Sequence, residues 1–218
     1  MKEEYQNTIS KLVINGQWNR EEFDKLEGNG FLSSQKEILV ECLSKLNLRK
    51  DEYNINFLFT VHRVLKYIGS KEFIRFLNSF PVVEDDVLSH DSLINAISPY
   101  SNGGEIKYPL LYITDILQEG LDSADKEFKA MSLSLLKRLF NIIKNIFLIK
   151  RYSVSEYLSY DDKIMIRSLI ILFHRIYNEN SKNYINNFLN SIDNDNFWLI
   201  TNIFREDRSI SRFLKIIR

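Results

Sequence analysis

Glycine and proline are scarce in this sequence. Seven glycines and three prolines occur among 218 residues, and all ten lie at or before Gly120. Since these residues form turns and end helices, a chain with so few of them and with apolar residues at spacings of three and four is predicted to be all-α. The last 98 residues contain neither type, and we expect them to be nearly continuous helix with short polar turns.

Cysteine and histidine are also sparse. One cysteine excludes a disulfide within the chain, and the three histidines are too far apart for a zinc site. Cys42 lies on the apolar side of a predicted helix and is expected to be a buried thiol. There is no glycine-rich phosphate loop, no Gly-x-Ser-x-Gly and no His-Glu-x-x-His motif. We therefore predict neither a metal nor a cofactor.

Long apolar runs are absent as well. The longest ones are interrupted by Lys144 and Arg167 and fall short of the about 20 residues that a membrane-spanning helix needs. The N-terminus has no uninterrupted apolar core of a signal peptide. We expect a soluble cytoplasmic protein with no membrane partner.

The formal net charge is zero, but the charge is unevenly distributed. Residues 1–120 contain 13 Lys and Arg against 18 Asp and Glu, a net of −5, whereas residues 121–218 contain 16 against 11, a net of +5. A protein that binds nucleic acid over its whole surface is usually basic overall, so we do not expect nucleic acid as the main partner. The basic half remains compatible with a local contact to nucleic acid or to an acidic protein, or with attraction between the halves. A nucleic-acid contact would use Lys137, Arg138, Lys144, Lys150 and Arg151 with later arginines.

Local signals predict most helix boundaries. Asn15-Gly16 should end a first helix, Asn19 should cap the second with Glu22 in capping-box spacing, and Gly120 should end a helix that covers 110–118. The last helices are predicted over 161–177, 181–192, 195–204 and 208–217.

The most apolar stretch is Ser123 to Arg151, which would span about 40 Å as one helix. Its apolar residues form two adjacent stripes, a wider face than a surface helix needs, so we expect neighbouring helices to cover it on several sides. The stripes are Leu135, Leu139, Ile142, Ile146 and Ile149, and Leu133, Leu136, Phe140, Ile143 and Phe147. The polar strip left for solvent is Ser134, Lys137, Arg138, Asn141, Lys144 and Asn145.

One long connector, residues 98–109 (SPYSNGGEIKYP), contains two prolines and two glycines. It is the natural boundary between two halves, 1–98 and 109–218, or a natural loop for a contact. A chain of 218 residues can form one large domain. We predict a single all-helical domain over 1–218 whose halves this loop joins.

Two 19-residue segments resemble each other at an offset of 112 residues: 62–80, HRVLKYIGSKEFIRFLNSF, and 174–192, HRIYNENSKNYINNFLNSI. The pattern of each segment predicts the end of one helix, a tight turn, a serine cap and a short amphipathic helix. A duplication would favour stacked antiparallel helical hairpins, and repeats of about 40–47 residues are typical of HEAT-like superhelices. The alternatives are a compact multi-helix bundle around the long central helix, and a likeness due to composition alone.

Arg167 and His174 lie seven residues apart on one predicted helix, in RSLIILFH, and so share a face. This pattern resembles the Arg-x4–6-His element of HEPN ribonucleases, all-helical proteins in which the pair acts on the scissile phosphate. The resemblance implies that Arg167 and His174 are catalytic. Ser168 departs from the Asn, Asp or His usual in that family, and a solvent-facing polar strip produces the same pattern without catalysis.

In its size and its helical, motif-poor style, the chain resembles small all-helical bacterial immunity proteins, which neutralise a toxin by covering its active site. The resemblance implies a protein-binding module that is not an enzyme and whose partner is a cognate toxin. Against a cationic toxin, the acidic half would form the contact through electrostatic steering. The candidate partner-binding residues are Glu84, Asp85, Asp86 and Asp91, with Tyr100 and Tyr108 on the connector.

Overall fold

Helices make up most of the structure, a computed structural model that describes residues 2–46, 50–80, 92–97, 100–102, 105–107, 109–152 and 158–218. This confirms the predicted all-α fold. The α-helices are α1 (Lys2–Leu12), α2 (Arg20–Gly28), α3 (Lys36–Ser44), α4 (Lys50–Phe59), α5 (Leu65–Ile68), α6 (Ser70–Ser79), α7 (Ser92–Ile97), α8 (Thr114–Asp122), α9 (Lys126–Tyr152), α10 (Tyr160–Arg175), α11 (Lys182–Ser191), α12 (Asn194–Ile203) and α13 (Arg208–Ile217). A π-helical turn, Thr60–Val64, joins α4 to α5, and 3-10 turns occur at Phe31–Ser34 and Pro109–Ile113.

Polar side chains fix several helix N-termini. Asn19, Asp193 and Asp207 each accept a hydrogen bond from the backbone N–H three residues further on, at 3.4, 2.9 and 3.1 Å. Such a cap typically stabilises a helix by about 1 kcal/mol. The predicted Asn19 cap is confirmed, and the last three helices lie within one or two residues of their predicted limits.

A short β-hairpin follows α1. β1 (Val13–Ile14) pairs antiparallel with β2 (Gln17–Trp18) through Asn15 and Gly16, whose φ values are 52° and 79°. Two consecutive positive φ values make the type I′ turn that an Asn-Gly pair favours. The first helix ends at Leu12, before the strand Val13–Ile14, so Asn15-Gly16 reverses the chain and does not itself end the helix.

A second hairpin lies in the predicted connector. β3 (Tyr100–Asn102) pairs antiparallel with β4 (Glu105–Lys107), with Asn102 opposite Glu105. The described part of 98–109 is therefore a hairpin, where the sequence predicted a loop.

The predicted central helix, α9, is covered on several sides. Helices α6, α8 and α10 pack against it, and α11 stacks Phe188 on Phe140 with the ring centroids 4.2 Å apart. One residue of the predicted polar strip is nevertheless buried. Arg138 is only 9% exposed, and its Nη1 donates to the carbonyl oxygen of Phe80 at 2.8 Å. The prediction was wrong there because the guanidinium satisfies a carbonyl that the end of α6 leaves without a helical partner.

Ion pairs join α6 to the start of α9. Lys71 Nζ lies 2.8 Å from Asp125 Oδ2 and 2.6 Å from Glu127 Oε2, and Arg75 Nη2 lies 2.8 Å from Glu127 Oε1. Asp125 also accepts the N–H groups of Glu127 and Phe128 at 2.9 and 3.2 Å. The Lys71 ammonium holds the pKa of both carboxyls below their usual values. These cations belong to the net acidic half and the carboxylates to the net basic half. The opposite net charges of the two halves therefore do not explain these contacts.

The two similar segments have similar surroundings. Helices α6 and α11 both contact α9, and the histidine that opens each segment meets an aromatic ring edge-on. The His62–Tyr112 and His174–Phe213 centroid distances are both 4.9 Å. The turns differ. Ser181 occupies the predicted N-cap position of α11, whereas Gly69 and not Ser70 occupies that of α6, and neither serine side chain caps its helix with a hydrogen bond. Duplication stays a prediction.

Buried apolar side chains form one cluster that extends from Ile9 in α1 to Leu214 in α13. It includes Ile97 and Leu110, which lie on either side of the second hairpin. Among the described helices, none has both the length and the apolar character needed to cross a membrane.

Candidate functional site

The acidic surface that the sequence predicts as partner-binding falls mostly outside the described residues. Those outside are Glu84, Asp85, Asp86, Asp91 and Tyr108. Tyr100 begins β3, where it is paired with Lys107 of β4. That surface therefore stays a prediction.

Arg167 and His174 contact two different aromatic rings near the C-terminus. The exposed Arg167 places its guanidinium over Phe204, 5.6 Å from the ring centroid. The half-buried His174 ring meets Phe213 of α13 edge-on at 4.9 Å. His174 also lines a groove, whereas Arg167 is not among the residues that line it. This groove therefore does not bring the two residues of the predicted catalytic pair together.

An open groove runs between the end of α10 and α13, with a volume of about 520 Å³. Three packed rings form its apolar base, since Phe213 meets both His174 and Tyr177 edge-on, at centroid distances of 4.9 and 5.1 Å. The Tyr177 hydroxyl donates to Oδ1 of Asn186 in α11 at 2.9 Å, which holds that ring in place. The lining consists of His174, Tyr177, Arg208, Ser209, Arg212, Phe213 and Ile216.

The wall of the groove that α13 forms is cationic. The Asp207 side chain accepts the Ile210 N–H and starts the helix, and Ile210, Phe213 and Leu214 turn inward. Arg208, Arg212 and Lys215 consequently lie on the exposed side, on one face because they are four and three residues apart. None of these three cations forms an ion pair with another described residue. Their charge is available to a partner.

Two of the most exposed large apolar side chains lie in the last two helices. Ile216 of α13 is 70% exposed, and Trp198 of α12 is 62% exposed. Single exposed apolar residues are common on protein surfaces, so Trp198 by itself indicates little. Ile216 differs because it lines the groove beside two arginines, a combination that fits an amphipathic partner.

A dense ionic cluster in the first half has a structural role. Glu27 of α2 accepts hydrogen bonds from Lys66 and Tyr67, both at 2.7 Å, and from Arg63. Hydrogen bonds from Lys66, Tyr67 and Arg63 lower the pKa of Glu27 to about 2. The Arg63 guanidinium also lies over the Phe23 ring, 5.3 Å from its centroid. The hydrogen bonds of the Glu27 carboxylate join α2 to the π-helical turn and to α5.

Metal and thiol chemistry find no support in the described part of the chain. No group of three or more His, Cys, Asp or Glu side chains there could hold a metal ion. Cys42 is buried as predicted, and desolvation raises its pKa to about 12. A thiol with such a pKa stays protonated at neutral pH and is a poor nucleophile.

Sequence reasoning did not identify Ile216, and it included Arg208 and Arg212 only among the later arginines of a possible nucleic-acid contact. A signal was present, because RSISRFLKIIR, residues 208–218, contains four cations and no acid. That signal shows a cationic helix face but not what lies beside it. Only the packing of α13 against α10 creates the groove.

Comparison of the chain with protein-family models, with curated proteins and with solved structures finds no match. The resemblances to HEPN ribonucleases and to immunity proteins therefore stay predictions. The function has to be argued from the groove itself.

Proposed function

We propose that this protein is a protein-binding module without enzymatic activity, and that the groove between α10 and α13 is part of its binding surface. In the form that the sequence suggests, it is an immunity protein that neutralises a cognate bacterial toxin by covering the active site of the toxin. The supporting observation is that the exposed Ile216 lies in one groove with Arg208 and Arg212. Neither arginine forms an ion pair with a described carboxylate.

An exposed apolar side chain next to unpaired charges is suited to a protein interface. Burial of Ile216 against a partner would contribute about 1.5–3 kcal/mol. Arg208 and Arg212 can bind carboxylates through two parallel hydrogen bonds, and such contacts strengthen when the surrounding water is excluded. Both kinds of contact need a partner that supplies apolar and acidic groups together.

The groove changes the expected electrostatics of the interface. The sequence predicts a cationic toxin that meets the acidic half of the chain. The described residues instead present a cationic wall, so the partner surface that enters the groove should be acidic. A toxin with both kinds of surface could meet the groove and the acidic half.

Co-expression with the product of the gene immediately upstream tests the proposal. We expect a stable complex in size-exclusion chromatography with light scattering, and survival of cells that the upstream product alone would kill. A chain that neither binds nor protects would refute the immunity function.

Ribonuclease activity is the second candidate, and the position of His174 supports it. A half-buried imidazole lines an open groove beside two arginines, and imidazole acid–base chemistry with arginine–phosphate contacts is what RNA cleavage needs. Incubation with single-stranded RNA decides between the candidates. We expect no cleavage, whereas cleavage that His174→Ala and Arg167→Ala both abolish would establish the enzyme and refute a purely binding role.

A further inference from the structure

We infer that the part of the partner protein that occupies the groove is an acidic amphipathic helix lying along α13. The inference rests on the proposed protein-binding function and adds the chemistry of the binding segment. Three observations carry it: the spacing of the cations on α13, the packing of the aromatic rings at the base of the groove, and the exposure of Ile216.

The exposed cations of α13 repeat at the helical period, with Arg208 and Arg212 in the lining of the groove and Lys215 outside that lining. Arg208, Arg212 and Lys215 are four and three residues apart, so the gaps along the helix axis are about 6 Å and about 4.5 Å. Carboxylates at positions i, i+4 and i+7 of a second helix have the same two gaps and can face all three cations together. An extended strand presents side chains on one face about every 6.6 Å, which matches the first gap and not the second. The spacing therefore favours a helix.

The base of the groove favours a polypeptide over nucleic acid. Single-stranded nucleic acid binds by stacking its bases on free aromatic faces. Phe213 is only 7% exposed and is packed against His174 and Tyr177, so it offers no free face. The exposed apolar group is the aliphatic Ile216, which suits a Leu or Ile side chain.

Ile216 also fixes where the apolar residue of the partner must lie. It is one helical turn beyond Arg212, so it continues the row that begins at Arg208. A helix with its carboxylates on the cations therefore needs an apolar side chain about one turn along the same edge. A groove volume of about 520 Å³ is in the range of sites that enclose a ligand, so side chains of such a helix have room to enter.

Fluorescence polarisation with a labelled designed peptide tests the inference. The peptide has about 20 residues, enough to form a helix in isolation, with Glu at i, i+4 and i+7 and Leu at i+8. Three probes serve as controls: a scrambled peptide of the same composition, the same peptide with a central proline, and a single-stranded RNA of equal net charge. We expect the designed peptide to bind at least about tenfold more tightly than each control.

Two variants of the protein locate the binding site. Arg212→Glu and Ile216→Asp should each weaken binding of the designed peptide by about tenfold or more. Both residues are exposed, so thermal unfolding should show that the variants fold normally. Lys126→Glu is the matched control, because it changes the net charge by the same amount on an exposed position of α9. This variant should bind the peptide as the wild type does.

Four results would overturn the inference: no binding of the designed peptide, equal binding of the scrambled or proline-containing peptide, tighter binding of the RNA, or unchanged binding by Arg212→Glu. Binding to the upstream gene product distinguishes failure of this inference from failure of the proposed function. A complex that survives both groove variants overturns the inference and leaves protein binding intact. Absence of any complex with the wild type overturns the proposed function itself.

Discussion

Replacing Gly120 by alanine should destabilise the protein, although the same change in an unobstructed helix is favourable. A Cβ atom at Gly120 would lie 2.9 Å from Cβ of Ser132 and 2.9 Å from Cε2 of Phe128, and closer still to Oγ of Ser132. Both neighbours belong to α9, and Ser132 is fully buried. The Ser132 hydroxyl can rotate, but its Cβ can move away only if α8 and α9 separate.

Two opposing effects set the size of the change. Alanine gains about 1 kcal/mol over glycine in helix propensity. Overpacking of a well-packed core costs about 1–3 kcal/mol, and contacts below 3 Å with two side chains place this site at the upper end. The net loss should be about 1–2 kcal/mol, which lowers the melting temperature of a domain of this size by about 2–8 °C.

Urea unfolding followed by circular dichroism measures this loss, and Gly28→Ala provides the matched control. No atom lies within 4 Å of a Cβ at Gly28, so that change should leave the stability equal or slightly higher. Adding Ser132→Gly to Gly120→Ala should recover part of the loss, because it removes the obstructing Cβ. A Gly120→Ala protein as stable as the wild type would refute the close approach of α8 to α9.

Three further predictions concern the polar contacts. Glu27→Gln should lower the free energy of unfolding at pH 7. The pKa of Glu27 falls from its usual 4.5 to about 2 on folding. The stabilisation by this carboxylate is therefore complete above about pH 4.5 and is lost as the pH falls through about 2. An effect of the substitution that is equally large at every pH would contradict the ion pairs. Asp125→Ala should lower the melting temperature. Asp125→Asn should lower it less, because the amide keeps an acceptor oxygen for the N-terminus of α9. Equal losses in the two variants would exclude Asp125 as the cap of α9. Thr60→Val should cost about 1–3 kcal/mol in chemical unfolding, because the buried Trp18 Nε1–H, now 3.0 Å from the Thr60 hydroxyl, loses its acceptor. The same change at the half-exposed Thr201 should have a much smaller effect, and similar losses at both sites would argue against this hydrogen bond.

Helix boundaries were the most predictable part of the fold. The cap at Asn19 and the limits of α13 follow from residues within one or two turns, and the structure confirms both. Gly120 shows where such local reasoning fails. The sequence predicts it as a helix end, but it lies inside α8 because the neighbouring helix leaves no room for a side chain.

The first hairpin and Arg138 were missed for related reasons. Asn15-Gly16 is a strong hairpin signal between strands, but strands of two residues show no alternation of apolar and polar positions that would reveal them. Arg138 fits a polar strip by its spacing, and no local pattern indicates that a carbonyl of α6 lies within its reach. In both cases the missing information is the position of a second segment.

The candidate site was also only partly predictable from the sequence. Its cations were visible as part of a basic half, whereas the groove depends on the distance between α10 and α13. The sequence by itself determined that the chain is helical, where most helices begin and end, and which faces of α9 are buried, because caps and apolar periodicity are properties of neighbouring residues. Only the tertiary structure decided which helices meet, that Arg138 is buried, and that Ile216 stands exposed beside unpaired arginines. Such contacts depend on the complementary shapes of segments far apart in the chain, which no local pattern encodes.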